Sequence, residues 1–220
     1  MLHLLIVGAG PGISAATVRR LTREGDAVGL IARRDETLAE LADDLRGCGV
    51  IGRAPAEAGD PASLTAAVEL FVETFGPVDV LLYNVSVGRQ VAIPDLAPED
   101  LLADLAAGAV GLQTAVRAVL PGMRDRGSGT VLVTGSGSAD RPMTSMATLG
   151  VQKAALRALA QVQAEALAPE GVHVATVTIR GLVGEDRQIT PDRVAALYAE
   201  LVAETAGPRE RWRSLVDLTP

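Results

Sequence analysis

The sequence contains few of the residues that form disulfides and metal centres. It has one cysteine, Cys48, and two histidines, His3 and His173, among 220 residues. A single cysteine cannot form a disulfide within the chain, and two isolated histidines do not provide a cluster of metal ligands. One histidine lies at the start of a predicted strand and the other inside one, so both are expected to be structural. We expect no bound metal.

Basic charge, aromatic side chains and long apolar runs are scarce too. The formal net charge is −7 and no basic run occurs, which argues against a nucleic-acid surface. Aromatic residues make up 2% of the chain and hydrophobic residues 48%, which predicts a core of Ala, Val and Leu. No apolar segment is judged long enough to span a membrane. Glycines interrupt the apolar N-terminus too early for a signal peptide, so we expect a soluble, cytoplasmic protein.

Apolar strands and amphipathic helices alternate along the whole chain. Strands are predicted at residues 3–7, 27–32, 50–53, 78–83, 130–134 and 172–178. Helices are predicted at residues 13–24, 36–45, 61–75, 98–123 and 148–167, and from Pro191 onward. This alternation predicts an α/β fold of one domain over residues 1–220, with a doubly wound, Rossmann-type parallel sheet between two helical layers. The polar tail after about residue 206 is expected either to fray or to add a short edge strand at residues 215–218.

The first predicted strand ends in a glycine cluster, Gly8, Gly10 and Gly12, and a helical pattern begins at Ile13. Glycines allow a backbone to approach a ligand closely, and a helix N-terminus offers unpaired N–H groups to an anion such as a pyrophosphate. The spacing Gly-x-Gly-x-x-Gly fails, because Ile13 holds the place of its last glycine. The alternative to a nucleotide loop is a turn before a surface helix that binds nothing.

The spacing of Gly8, Gly12 and Ser14 resembles the Gly-x-x-x-Gly-x-Gly loop of the short-chain dehydrogenase/reductase family, with Ser14 in place of the third glycine. The resemblance covers about residues 3–205 in the order and spacing of its motifs. It implies a dinucleotide-binding domain. It assigns cofactor contacts to five residues of the loop, Gly8, Gly10, Gly12, Ile13 and Ser14.

Two arginines, Arg33 and Arg34, follow the second predicted strand. An acid at this place in a dinucleotide fold would accept a hydrogen bond from the adenosine ribose, whereas arginine pairs with a 2′-phosphate. The arginines therefore favour NADP(H). The alternative is an arginine pair on a solvated loop. Many NADP-preferring relatives in the family also carry a basic residue just before the second glycine, where this chain has Pro11.

Three further places match the family in order. Glu57 and Ala58 fall where the family places Asp and a small residue against the adenine, and Asn84 is retained from the family's Asn-Asn-Ala-Gly segment. Arg180-Gly181 stands where the family has Pro-Gly, which implies a backbone contact between Gly181 and the nicotinamide amide. The segment that follows, residues 182–189, is short and predicts an open cleft.

The catalytic residues of the family are only partly present. The family has a catalytic Ser after its fifth strand and Tyr-x-x-x-Lys thirteen residues later; here these places hold Ser136, Leu149 and Lys153. The resemblance implies that Ser136 polarises a carbonyl and that Lys153 binds the nicotinamide ribose, although either can be an ordinary turn or helix residue. Leu149 replaces the tyrosine that transfers the proton, and Gly108 replaces the family's Asn. General acid–base catalysis is typically worth ~10²–10⁴-fold, so the usual reduction is expected to be impaired.

Three functions stay open on the sequence. The first is an NADP(H)-dependent oxidoreductase of a small carbonyl or alcohol, in which Lys153, water or the substrate supplies the proton. The second is a non-redox enzyme such as a cyclase, isomerase or dehydratase, and the third is a protein that binds NADP(H) or a metabolite without turnover. The family often pairs through its two long helices, so we expect a homodimer through residues 98–123 and 148–167.

Overall fold

The computed structural model describes residues 1–220 as helices packed on a seven-stranded sheet of order β3-β2-β1-β4-β5-β6-β7. The strands are β1 His3–Val7, β2 Ala27–Ala32, β3 Val50–Pro55, β4 Val80–Tyr83, β5 Gly129–Ser136, β6 Val172–Ile179 and β7 Leu215–Leu218. Every neighbouring pair is parallel. The chain winds outward to β3 and then returns to place β4 beside β1. Ligands of such sheets bind outside the carboxyl ends of the strands where this reversal occurs.

Seven helices cover both faces of the sheet. They are α1 Ile13–Leu21, α2 Asp35–Asp44, α3 Pro61–Phe75, α4 Pro98–Leu105, α5 Gly111–Arg126, α6 Ala147–Leu167 and α7 Pro191–Glu204. Side chains of α3, α5 and α6, including Val68 and Leu156, pack in one apolar core. Side chains of α1, α2 and α7, including Val18 and Tyr198, pack in the other. The predicted three-layer, doubly wound architecture is therefore confirmed.

The helix boundaries follow from local hydrogen bonding. Asp60 caps α3 by accepting from the N–H groups of Ala62 and Ser63, with Pro61 in the first turn, as the sequence predicts. The first helix ends at Leu21 rather than at residue 24. It stops early because the carboxylate of Asp26 accepts from the backbone N–H of Arg23 at 3.0 Å, which holds the chain in a turn before β2.

The predicted helix at residues 98–123 is longer and contains a π-helical turn at Ala106–Val110, between α4 and α5. The Tyr83 hydroxyl donates to the carbonyl of Ala107 within this turn. The continuous stretch Pro98–Arg126 is 29 residues long and apolar enough, by length and composition alone, to cross a membrane, and half of its most apolar window is buried in the fold. The expectation that no segment is long enough was wrong. It looked for one unbroken apolar run, whereas this stretch reaches the required mean hydropathy with small apolar residues and few charges.

The tail after residue 206 forms an edge strand, which confirms one of the two predicted outcomes. β7 pairs with β6, and Trp212 stacks on His173 with ring centroids 5.0 Å apart. The two ring nitrogens of His173 lie 3.1 Å from the backbone carbonyls of Leu201 and Arg213. His3 contacts the Pro77 carbonyl at 3.0 Å. Both histidines thus have the structural contacts expected of them.

Candidate functional site

The loop after β1 requires glycine at its first position. Gly8 has a φ of +83°, and a Cβ there would lie 2.8 Å from backbone atoms of Asn84 and Val85. Its N–H donates to the Ile31 carbonyl at 2.9 Å, and that of Ala9 donates to the same oxygen at 3.0 Å. The loop is therefore held against the ends of β2 and β4, at the reversal in strand order.

Gly10 and Gly12 face open space instead. A Cβ on either residue would have no atom within 4 Å. Gly12 is the N-cap of α1 and provides no side-chain cap, so the first N–H groups of the helix are left for another acceptor. This cradle of bare backbone, with N–H groups directed outward from a helix N-terminus, suits a phosphate.

Ser14 is fully buried, and its side chain contacts the glycine loop from the interior of the fold. Its hydroxyl lies 3.4 Å from the Gly8 carbonyl and 3.1 Å from Nδ2 of Asn84. The side chain that replaces the family's third glycine is thus directed into the fold. Only the backbone of Ser14 is left for an anion in the cradle.

A groove of about 270 Å³ runs from this loop across the ends of β2 and β3. The predicted cofactor residues Arg33, Arg34, Glu57, Ala58 and Asn84 line it together with Gly8. The guanidinium of Arg53 on β3 is paired with Asp35 at 2.6 Å, whereas Arg33 and Arg34 are exposed and form no ion pair. Two unpaired cations and the first glycine of the loop therefore line the same groove.

A second cavity of about 300 Å³ adjoins the groove and shares Asn84 and Ser86 with it. The structure brings the residues of the predicted catalytic register together here, since Ser136, Leu149 and Lys153 all line the cavity. Gly181 lines it as well, and Ile13 closes the side next to the glycine loop. The cavity therefore lies where the nicotinamide end of a cofactor and a small substrate are expected.

Lys153 is the only lysine in the sequence, and it is buried. Its ammonium donates to the carbonyl of Val85 at 2.9 Å and to that of Thr134 at 2.8 Å. It has no carboxylate partner, and burial lowers its pKa from 10.5 to about 8. One N–H of the ammonium remains for a group in the cavity. The lysine therefore ties the ends of β4 and β5 together while staying poised to lose a proton near neutral pH.

The place of the family's Asn is filled from another helix. A Cβ on Gly108 would lie 2.7 Å from Cβ and 2.8 Å from Oε1 of Gln152. Gln152 is fully buried, accepts from the N–H of Val87 at 3.1 Å and donates to its carbonyl at 2.7 Å. Sequence reasoning missed this residue. A buried amide next to Lys153 on a helical face was the available signal.

A chain of buried hydrogen bonds beneath the cavity was missed as well. The Tyr198 hydroxyl lies 2.7 Å from Oγ1 of Thr134, which donates to Oδ1 of Asn84 at 2.7 Å. Nδ2 of Asn84 then donates to the Gly8 carbonyl at 3.2 Å and to the Ser14 hydroxyl. The chain has only two tyrosines, and both hydroxyls are committed to internal partners.

The segment after β6 is short and pinned. Arg180, in place of the family's proline, forms ion pairs with Asp140 at 3.0 Å and Asp217 at 2.8 Å. The following turn closes on itself through a bridge between Val183 and Ile189. The short segment predicted at residues 182–189 is therefore held beside the cavity by this bridge.

Residues 2–185 match the family model described as short chain dehydrogenase. Oxidoreductase UcpA of Salmonella typhimurium is 32% identical over 207 residues, which cover 90% of this chain and 77% of that protein. The 2,3-dihydro-2,3-dihydroxybenzoate dehydrogenase of Bacillus subtilis is 32% identical over 151 residues, or 68% of this chain. The match spans only 58% of the length of that dehydrogenase.

A solved structure, that of a metagenomic short-chain oxidoreductase in complex with NADP, matches this chain with a TM-score of 0.86. The two sequences are 25% identical, and the match covers 100% of this chain and 97% of the other. The likeness thus extends over the glycine loop, the groove and the adjoining cavity.

Proposed function

The chain belongs to the short-chain dehydrogenase family, and on that basis we propose that it is an oxidoreductase that binds NADP(H) across the groove and the adjoining cavity. The observation that carries this proposal is the pair of unpaired guanidiniums, Arg33 and Arg34, in a groove whose wall also contains Gly8 of the glycine loop. A 2′-phosphate is a dianion that arginine binds with charge-assisted hydrogen bonds. The NADP bound in the 25% identical structural relative supports the same choice.

The residues of this chain fit such a cofactor. The space above Gly10 and Gly12 would accept the pyrophosphate, and Glu57 and Ala58 would lie against the adenine. Lys153 and Gly181 would meet the nicotinamide end. When bound, NADPH supplies a hydride. The protein must then supply a proton to the oxygen of the carbonyl that is reduced.

The proposed departure from the family is the absence of its catalytic tyrosine. Leu149 holds that place in the cavity wall, and neither Tyr83 nor Tyr198 replaces it, because both hydroxyls are buried and already bonded. The ammonium of Lys153 is the remaining proton donor that lines the cavity, with a pKa of about 8. We assign it the proton transfer, after which the neutral amine regains a proton from water.

Ser136 is assigned the polarising role. Its Oγ accepts from the N–H of Ser138 at 3.1 Å, which leaves its own proton free to donate to a substrate oxygen. Ser136 and Lys153 then act on the same oxygen, one by hydrogen bonding and the other by proton transfer. The carbonyl substrate of this proposed reaction is small, since the cavity holds about 300 Å³.

Leu149 and Gly108 favour a second function, because they replace the catalytic Tyr and Asn with which the family transfers protons. The chain would then bind NADP(H) without turnover, or catalyse a non-redox reaction in the same cavity. Titration of NADPH, followed by NADPH consumption with a panel of small ketones and aldehydes, separates these functions. Binding with turnover that Lys153→Met abolishes supports the first, binding without turnover supports the second, and no binding contradicts both NADP(H) functions.

The assembly we propose is a homodimer of cytoplasmic, single-domain chains, paired through the face formed by α4, α5 and α6. Leu102 of α4, Val110 of the π-helical turn, and Val151 and Val162 of α6 are at least 44% exposed. Val151 and Val162 lie three turns apart on α6, so they share one face of that helix. Exposed apolar side chains on neighbouring helices are typical of an interface.

A further inference from the structure

We propose that Tyr198 is a positioning residue for the glycine loop, acting through Thr134 and Asn84. The inference concerns the same site as the proposed binding of NADP(H) and rests on it. Tyr198 lies on α7, on the face of the sheet that also carries α1, and its side chain is completely buried. It touches neither the groove nor the cavity, so its effect must pass through its hydrogen-bond partner.

The direction of each hydrogen bond follows from the available protons. The Oδ1 atom of Asn84 can only accept, so Thr134 donates its single hydroxyl proton to it. Thr134 then has no proton left for Tyr198, and the phenol must donate to Thr134. The order is therefore Tyr198 to Thr134 to Asn84, with no freedom at any step.

The groups on both sides of the Asn84 amide fix its orientation. Because Oδ1 faces Thr134, Nδ2 faces the Gly8 carbonyl at 3.2 Å and the Ser14 hydroxyl at 3.1 Å. The reversed amide would bring two acceptor oxygens, Oδ1 and the Gly8 carbonyl, against each other. Thr134 would then accept from Nδ2, and one of the two hydroxyl protons, that of Thr134 or that of Tyr198, would have no acceptor among these groups.

The consequence is a link across the sheet from α7 to the phosphate cradle. The carbonyl of Gly8 accepts from Nδ2 of Asn84 at 3.2 Å and from the Ser14 hydroxyl at 3.4 Å, and Asn84 contacts both groups. Loss of the phenol removes the hydrogen bond that holds the Thr134 hydroxyl in position to donate to Asn84. The loop then keeps its backbone bonds to Ile31 but loses support for the Gly8 carbonyl, although every residue that faces the cofactor is retained.

The test compares Tyr198→Phe with Thr130→Val. Thr130 and Thr205 form another hydroxyl pair of 2.7 Å, between the other end of β5 and the end of α7, far from the glycine loop in sequence and register. Two readouts are used, the Kd for NADPH and the hydrogen exchange of residues 8–14 in the free protein. An internal hydrogen bond is worth roughly two- to tenfold in an equilibrium constant.

We expect Tyr198→Phe to raise the Kd and the exchange at residues 8–14 roughly three- to tenfold, and Thr130→Val to leave both unchanged. In an Asn84→Ala background, Tyr198→Phe should have no further effect, because the link is already cut. Thr134→Ser, which keeps the hydroxyl, should resemble the wild type, and Thr134→Val should resemble Tyr198→Phe.

Equal effects of Tyr198→Phe and Thr130→Val, or an effect of Tyr198→Phe that persists in Asn84→Ala, would overturn the proposal. If the wild-type protein does not bind NADPH, the proposed function fails, and the exchange of residues 8–14 decides the positioning role by itself.

Discussion

Leu149 and Lys153 lie one helical turn apart on α6, and both side chains line the same cavity. Residues four apart share a helix face, so a group at position 149 lies over the ammonium that follows it. In this chain that group is a hydrocarbon, which can neither give nor take a proton. The site therefore differs from that of the family in having a buried amine next to a hydrocarbon instead of next to a phenol.

Leu149→Tyr should raise the rate of NADPH consumption with small ketones. A phenol at this place would have Lys153 and Ser136 as neighbours, which supply the charge and the hydrogen bond that a proton donor needs. We expect a gain of about tenfold, below the ~10²–10⁴-fold typical of general acid–base catalysis, because Gly108 leaves the relay incomplete. Leu149→Phe is the control for bulk, and an equal gain in that variant would show that the hydroxyl is irrelevant.

Arg33→Ala should abolish most of the preference for NADPH over NADH. A charge-assisted contact with a phosphate contributes about 1.5–3 kcal/mol, which is roughly 10- to 100-fold in Kd. Arg53→Ala is the matched control, because Arg53 sits on the neighbouring strand and is paired with Asp35. The measurement is fluorescence titration of both cofactors, and equal affinities in the wild type would refute the assignment.

The pKa of Lys153 makes folding stability depend on pH. Its value of about 8 in the folded chain is below its ordinary 10.5, so the unfolded chain binds more protons in that interval. The free energy of unfolding should therefore rise with pH between about 8 and 10.5, by on the order of 3 kcal/mol from this group. Urea unfolding of wild type and Lys153→Met at several pH values isolates the contribution, and parallel curves for the two proteins would contradict it.

Gly8→Ala and Gly10→Ala should separate folding from binding. Alanine at position 8 meets a positive φ and backbone atoms at 2.8 Å, so we expect a loss of more than about 2 kcal/mol of stability. Alanine at position 10 meets no atom within 4 Å, so stability should hardly change. Its methyl group would instead enter the cradle and weaken NADPH binding. A Gly10→Ala variant with wild-type affinity would argue against phosphate in that space.

Val162→Asp should convert a dimer into a monomer in light scattering at micromolar concentration. Val162 is 65% exposed on α6, and a carboxylate buried against a partner chain would be unpaired and costly. Leu70→Glu, at an exposed site on α3 outside the proposed interface, should leave the mass unchanged. A wild-type monomer under the same conditions would exclude the dimer.

The fold and the register of the site could be predicted because they depend on local pattern. The limits of β1 and β2 are as expected, and the spacing from Ser136 to Lys153 places both on one cavity. The link from Tyr198 to Asn84 could not be predicted, since Tyr198 lies in an apolar helical stripe and its partner is 64 residues away. The contact between Gln152 and Val87 spans 65 residues and has no local signal either. Contacts of this kind depend on how the layers dock.

Because Lys153 is the only lysine and is buried, the protein has an unusual reactivity toward amine-directed reagents. Every other basic side chain that carries a permanent charge is a guanidinium, so the outer surface offers no lysine to an amine-directed reagent. Apart from the α-amino group of the exposed Met1, a bifunctional amine cross-linker therefore finds no amine on the surface, and none on α4, α5 or α6. Lys153, in contrast, lines the cavity, so only an amine-directed reagent small enough to enter the cavity can acylate it, and the rate of that modification measures access to the site.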